Sequence, residues 1–144
     1  MLRYITILLL LSVPSAAGYS QVTAEVQRGA TVHNSEYLLS TSQVVWLNKL
    51  ERCESGGNHN AINPEDRDGT ASLGGYQFKP QTLYSYATRY GILTDIEPYE
   101  IMNIVMDYWL QRETVIQMIL HYDEIIWRIE FPDCVNLYVG MPPR

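Results

Sequence analysis

Basic side chains are scarce in this chain of 144 residues: 10 Lys and Arg stand against 16 Asp and Glu, a formal charge of −6. A nucleic-acid partner favours a basic face, so the balance argues against one, and equally against strong adhesion to anionic surfaces. Long apolar runs are missing too. The one nearly unbroken stretch, Tyr4 to Val13, is about ten residues, where a spanning helix needs about twenty. Histidine is rare, and His33, His59 and His121 lie too far apart for a zinc spacing. Placing Gly69 at the sixth position of an EF-hand loop puts Pro64 first and Gly75 twelfth, which excludes calcium of that type. No Ser-His-Asp or Cys-His arrangement is recognisable, and no metal or cofactor is expected.

At its start the chain has a short basic segment, the apolar stretch, and then the small residues Ser15-Ala16-Ala17. That layout is a secretory signal peptide over residues 1–17, the alternative being an uncleaved anchor. Cleavage after Ala17 leaves 9 basic and 16 acidic side chains, a formal charge of −7. An acidic protein can still hold a polysaccharide through neutral contacts. Residues 18–40 show no sustained apolar period and read as a flexible leader, and residues 41–144 form one domain by length. Only two cysteines occur, Cys53 and Cys134. Export permits a disulfide, and one intramolecular pairing exists, closing a loop of about 80 residues; two free buried thiols are the alternative.

The first helix is expected from a cap at Ser42 through VVWLNKLERCES to a stop at Gly56-Gly57. At 100° per residue, Glu54 falls about 20° from Leu47 and about 40° from Leu50, on the buried side, while Asn48 and Glu51 point elsewhere. A glutamate there is anomalous unless it is paired with a base such as Arg52 or Arg67, or functional. Residues 57–75 are loop by composition, with a short strand expected around Gly75 to Phe78. A second helix starts at Pro80 and stops at Gly91. Residues 98–121 hold one or two helices, with Asp107 as a cap and an apolar stripe of Val115, Ile116, Ile119 and Leu120. A last short helix covers Glu124 to Ile129. The sum is an α+β, mainly α domain with a long Gly/Asn-rich cleft loop or small β element.

A carboxyl held against apolar side chains has its pKa raised and can give a proton to a leaving-group oxygen. The stretch that follows supplies context. Glu54-Ser55-Gly56-Gly57-Asn58, Ser72-Leu73-Gly74-Gly75, Tyr76-Gln77-Phe78 and Pro80-Gln81-Thr82 resemble, in that order, the transglycosylase family of the lysozyme superfamily, including its soluble lytic transglycosylase and resuscitation-promoting-factor branches. The resemblance covers about 30 residues. It implies a lysozyme-like fold and cleavage of the MurNAc-β-1,4-GlcNAc bond of peptidoglycan strands. It makes Glu54 the sole catalytic acid and base, with Ser55 orienting it and Gln77 hydrogen-bonding the sugar. Tyr76 and the backbone at Gly74 and Gly75 would line the cleft, the glycines letting the polymer approach closely. Asp66 and Asp68 are the nearby acids able to serve as a second carboxylate, and both read as solvated; so does His59. The family's downstream Asn-centred motif is only approximated, by Asn103 to Leu110, so the far wall of the cleft is undefined. A lysozyme-type hydrolase and a catalytically inactive glycan-binding domain are the alternatives. The expected product is a secreted or periplasmic monomer with no stable membrane insertion after signal cleavage.

Overall fold

A computed structural model describes residues 34–66, 68–122 and 124–144. The signal-peptide reading, the leader as far as residue 33, and Arg67 lie outside the described residues. The fold is mainly helical with one two-stranded antiparallel sheet. No helix among the described residues is long and apolar enough to cross a membrane.

Chain folding is already under way where the leader was expected to be loose. Ser35–Leu38 forms a 3-10 turn, with Ser35 buried and its backbone N–H donating to the Glu113 carboxylate at 3.0 Å. Helix α1 spans Thr41–Ser55. Its cap is Ser40, two residues before the expected Ser42, because Ser40 and Gln43 complete a reciprocal capping box. Gly56 ends it with φ of 69°, a left-handed turn that costs glycine nothing. Trp46, Leu47 and Leu50 drive α1 into the core, each such side chain contributing about 1.5–3 kcal/mol.

After α1 comes a hairpin of two very short strands, β1 (Ile62–Asn63) and β2 (Ser72–Leu73), paired Ile62 to Leu73 and Asn63 to Ser72. The strand therefore precedes the expected Gly75 to Phe78. Gly74 and Gln77 both have positive φ, which turns the chain, and Phe78 keeps only an isolated bridge to Leu73.

Helix α2 (Pro80–Arg89) begins on its proline, and a short 3-10 turn (Pro98–Glu100) leads into α3 (Ile101–Ile104). Helix α4 (Tyr108–Leu120) follows, capped by Asp107, whose carboxylate accepts the Leu110 N–H at 3.0 Å. The expected apolar stripe on α4 is too narrow. Every residue from Leu110 to Ile116 is buried, while Leu120 is exposed, because α4 packs against α1, α2 and the first 3-10 turn at once. Its buried polar side chains are satisfied: Gln111 donates to the carbonyls of Leu73 and Val105, and Thr114 donates to that of Leu110.

Helix α5 (Glu124–Glu130) and a π-helical turn (Cys134–Val139) close the chain back onto α1. Cys53 and Cys134 form a disulfide, Cα to Cα 5.8 Å. Trp46 donates its indole N–H to the Gly140 carbonyl at 2.9 Å, and Gln43 reaches the Pro143 carbonyl at 3.1 Å. The disulfide seats the segment around Cys134 beside the last turn of α1, and the Trp46 and Gln43 bonds run the tail back along its first two turns.

Candidate active site

The hairpin and the C-terminal segment rise on either side of the end of α1 and leave a cleft of about 730 Å³. Cys53 and Glu54 lie in it. One wall is hairpin, with Asn63, Asp66, Asp68 and Ser72; the opposite wall is Ile129 to Cys134 together with Leu137 and Tyr138. The far wall that the sequence left undefined thus comes from α5 and the π-helical turn, and residues 103–110 take no part in lining it.

Glu54 is half-buried and makes no hydrogen bond or ion pair among the described residues. Burial pushes its carboxyl up from 4.5 to about 8, and the charges of Asp133 and then Asp66 push in the same direction. At neutral pH it therefore carries a proton. Of the expected basic partners, Arg52 is exposed on α1 and makes no ion pair with it among the described residues, and Arg67 lies outside those residues.

Asp66 and Asp68 are not simply solvated. Asp66 is half-buried and accepts the Ser72 hydroxyl at 2.8 Å. Asp68 is exposed and binds Lys79 and Thr70, which hold its carboxyl well below the ordinary carboxylate range. Lys79 also lies 3.8 Å from Asp66, so the one lysine on this wall bridges both acids.

The other expected site residues separate into two groups. Gln77 lines the cleft, and its amide nitrogen donates to the carbonyls of Gly74 (2.8 Å) and Ala61 (3.3 Å), leaving the amide oxygen for a ligand. Ser55 points back along its own helix, its hydroxyl donating to the Glu51 carbonyl at 3.1 Å, and so does not orient Glu54. Tyr76 is fully buried and cannot touch a ligand in the cleft. At Gly74 the missing side chain admits protein, not polymer: a Cβ there would sit 2.1 Å from the Gln111 amide nitrogen. Gly75 faces the rings of His59 and Tyr108 in the same interior region.

That interior region is organised around Glu51, which the helical-wheel reading had pointing elsewhere. Glu51 lies about 40° from Leu47, close enough to share the buried face, and it is more deeply buried than Glu54. His59 meets one carboxylate oxygen through Nε2 at 2.8 Å, while the hydroxyls of Tyr108 (3.2 Å) and Tyr76 (3.4 Å) donate to the other. Arg112 lies 3.5 Å from the same oxygen, donates to both tyrosine hydroxyls, and continues to Glu36 and Asn48. The His59 ring stacks on Tyr108 with centroids 3.7 Å apart, so it is not a freely solvated side chain. Every acid in this cluster has a partner; Glu54 has none among the described residues. Successive turns of one helix therefore present a structural glutamate and a chemically available one.

Compared with known protein families, with curated proteins and with solved structures, the chain matches none.

Proposed function

We propose that the protein is an exported peptidoglycan-cleaving enzyme with a lysozyme-like fold, acting on the MurNAc-β-1,4-GlcNAc bond as a lytic transglycosylase with Glu54 as its only acid and base. One observation carries this reading: a glutamate whose pKa burial raises to about 8, without a partner among the described residues, lining a cleft of about 730 Å³. Glycosidic cleavage needs such an acid because an alkoxide is a poor leaving group. The resemblance of the Glu54–Asn58 and Gly74–Phe78 blocks to transglycosylases supplies the substrate. The Cys53–Cys134 disulfide fits an oxidising compartment, either periplasmic or extracellular.

In this mechanism Glu54 gives its proton to the glycosidic oxygen as the bond to C1 of MurNAc breaks. The N-acetyl carbonyl of MurNAc closes on C1. The Glu54 carboxylate then takes the proton of the 6-hydroxyl, whose oxygen displaces the acetamido group and yields a 1,6-anhydro sugar. Burial, reinforced by the neighbouring acids, serves both halves: a pKa near 8 keeps the acid loaded, and the same environment makes the carboxylate a stronger base once the proton has gone. Gln77 would accept a hydrogen bond from the sugar through its amide oxygen. The protein would act as a monomer, without cofactor or nucleic acid.

Asp66 favours a second reading. It shares the cleft, and its charge bears on Glu54, so in hydrolysis it would be the carboxylate that assists a water molecule. Mass spectrometry of purified peptidoglycan after incubation with wild type and Glu54→Gln separates the outcomes. Anhydro-muropeptides absent from the variant's digest are the expected result. Reducing-end products lost in the same variant would change the reaction to hydrolysis, and no products from folded wild type would leave a glycan-binding domain, testable by pull-down on intact peptidoglycan.

A further inference from the structure

The far wall of the cleft carries three large apolar side chains in the open: Ile129 is 65 %, Leu137 69 % and Tyr138 76 % exposed. Scattered apolar residues on a surface need no explanation, but three along one wall of the cleft that holds the candidate acid do. Carboxylates lie on both sides of these apolar groups, Glu130 and Asp133 on the same wall and Asp66 and Asp68 on the hairpin. A pyranose matches this mixture of apolar side chains and acceptors. Its ring presents a face of C–H groups, and its hydroxyl and amide edges donate hydrogen bonds to carboxylates.

We propose that Tyr138, flanked by Leu137 and Ile129, is the saccharide platform of this cleft, its ring stacking on the C–H face of a neutral sugar of the strand that reaches Glu54. The proposal rests on the polysaccharide reading above and assigns the wall that holds the strand. It also chooses among the aromatic residues able to stack on sugars. Trp127 is fully buried, and Trp109, though exposed, lines a separate hollow of about 390 Å³ beside Asp107 and Arg112. Tyr138 makes no ring contact or hydrogen bond among the described residues, so its face is available. Its backbone is held nonetheless, because the π-helical turn starts at disulfide-bonded Cys134 and ends at Gly140, whose carbonyl accepts from Trp46. An exposed ring on a fixed backbone loses little freedom when a ligand covers it.

Tetra-N-acetylchitotetraose titrated into the full chain carrying Glu54→Gln, followed by calorimetry, tests the platform without cleavage. Tyr138→Ala added to that protein should weaken binding roughly five- to tenfold, while Tyr138→Phe and Tyr138→Trp retain it, and thermal stability stays unchanged. On peptidoglycan, Tyr138→Ala in the otherwise wild-type chain should raise KM and leave kcat within about twofold. Equal binding by the Tyr138→Ala protein, no binding by its parent, or an equal loss in Tyr138→Phe would each overturn the proposal. Tyr138-dependent binding by a protein that cuts no peptidoglycan would uphold the platform and sink the enzyme reading. Cleavage indifferent to Tyr138 would do the reverse.

Discussion

Replacing Glu54 with Gln should make the protein more stable in alkali while removing its proposed activity. The folded-state pKa of Glu54 is about 8 against 4.5 for the free side chain. Between those values the folded chain holds a proton that the unfolded chain has released, so stability falls as pH rises through this window and has lost its full increment by about pH 9. That difference corresponds to roughly 5 kcal/mol, at about 1.36 kcal/mol for each tenfold change in proton affinity. Glu54 is only half-buried, so solvent screening reduces this to about 2–4 kcal/mol. Glutamine keeps the shape and removes the titration. Guanidinium unfolding of both proteins near pH 5 and near pH 9 isolates the effect, since all other groups titrate alike in the two. The wild type should lose about 2–4 kcal/mol more than the variant over that interval. Parallel losses would show that Glu54 ionises freely in the folded protein, and the assignment of a protonated acid at neutrality would fall with it.

Under the proposed mechanism the same carboxyl would set the activity profile: cleavage should decline above about pH 8, and Asp133→Asn should move that limb to lower pH by removing one of the charges that raises Glu54, as a pH–rate profile would show. Glu51→Gln should behave oppositely to Glu54→Gln in thermal unfolding, destabilising at neutral pH by about 2–3 kcal/mol because it weakens the buried cluster around Arg112. Gly74→Ala combines a strained φ of 79° with a Cβ 2.1 Å from the Gln111 amide, and should cost about 3 kcal/mol in urea unfolding. Reducing Cys53–Cys134 should cost about 4–5 kcal/mol in the same measurement, from the entropy of a loop with its ends 81 positions apart.

Local signals in the sequence served well where the cause was local. The Gly56 stop, the Pro80 start, the Asp107 cap and the single cysteine pairing all follow from neighbours within a few residues, or from counting. The inward aspect of Glu54 followed from helical geometry. Glu51 was misjudged although its 40° from Leu47 already put it near the buried face; what no periodicity announces is its partners Tyr76, Tyr108 and Arg112, 25 or more positions away. Gly74 was read toward the ligand for the same reason, since what fills its vacant space is Gln111 from another helix. The hairpin arrived earlier in the chain than its aromatic residues suggested, because Gly74 and Gln77 adopt left-handed conformations that β-propensity does not anticipate. The far wall was invisible altogether. Ile129, Leu137 and Tyr138 look like ordinary core residues until the disulfide shows which way their segment faces.

The disulfide also fixes an order of events. Glu54 and the hairpin belong to the first half of the domain, but the wall opposite them is made of residues 129–138. A ribosome delivering this chain releases the acid first and its enclosure some 80 residues later, and the covalent tie between them needs an oxidising compartment. A partly synthesised chain, or a complete one still in a reducing interior, holds the glutamate without a secured cleft. The burial that loads its proton is completed last.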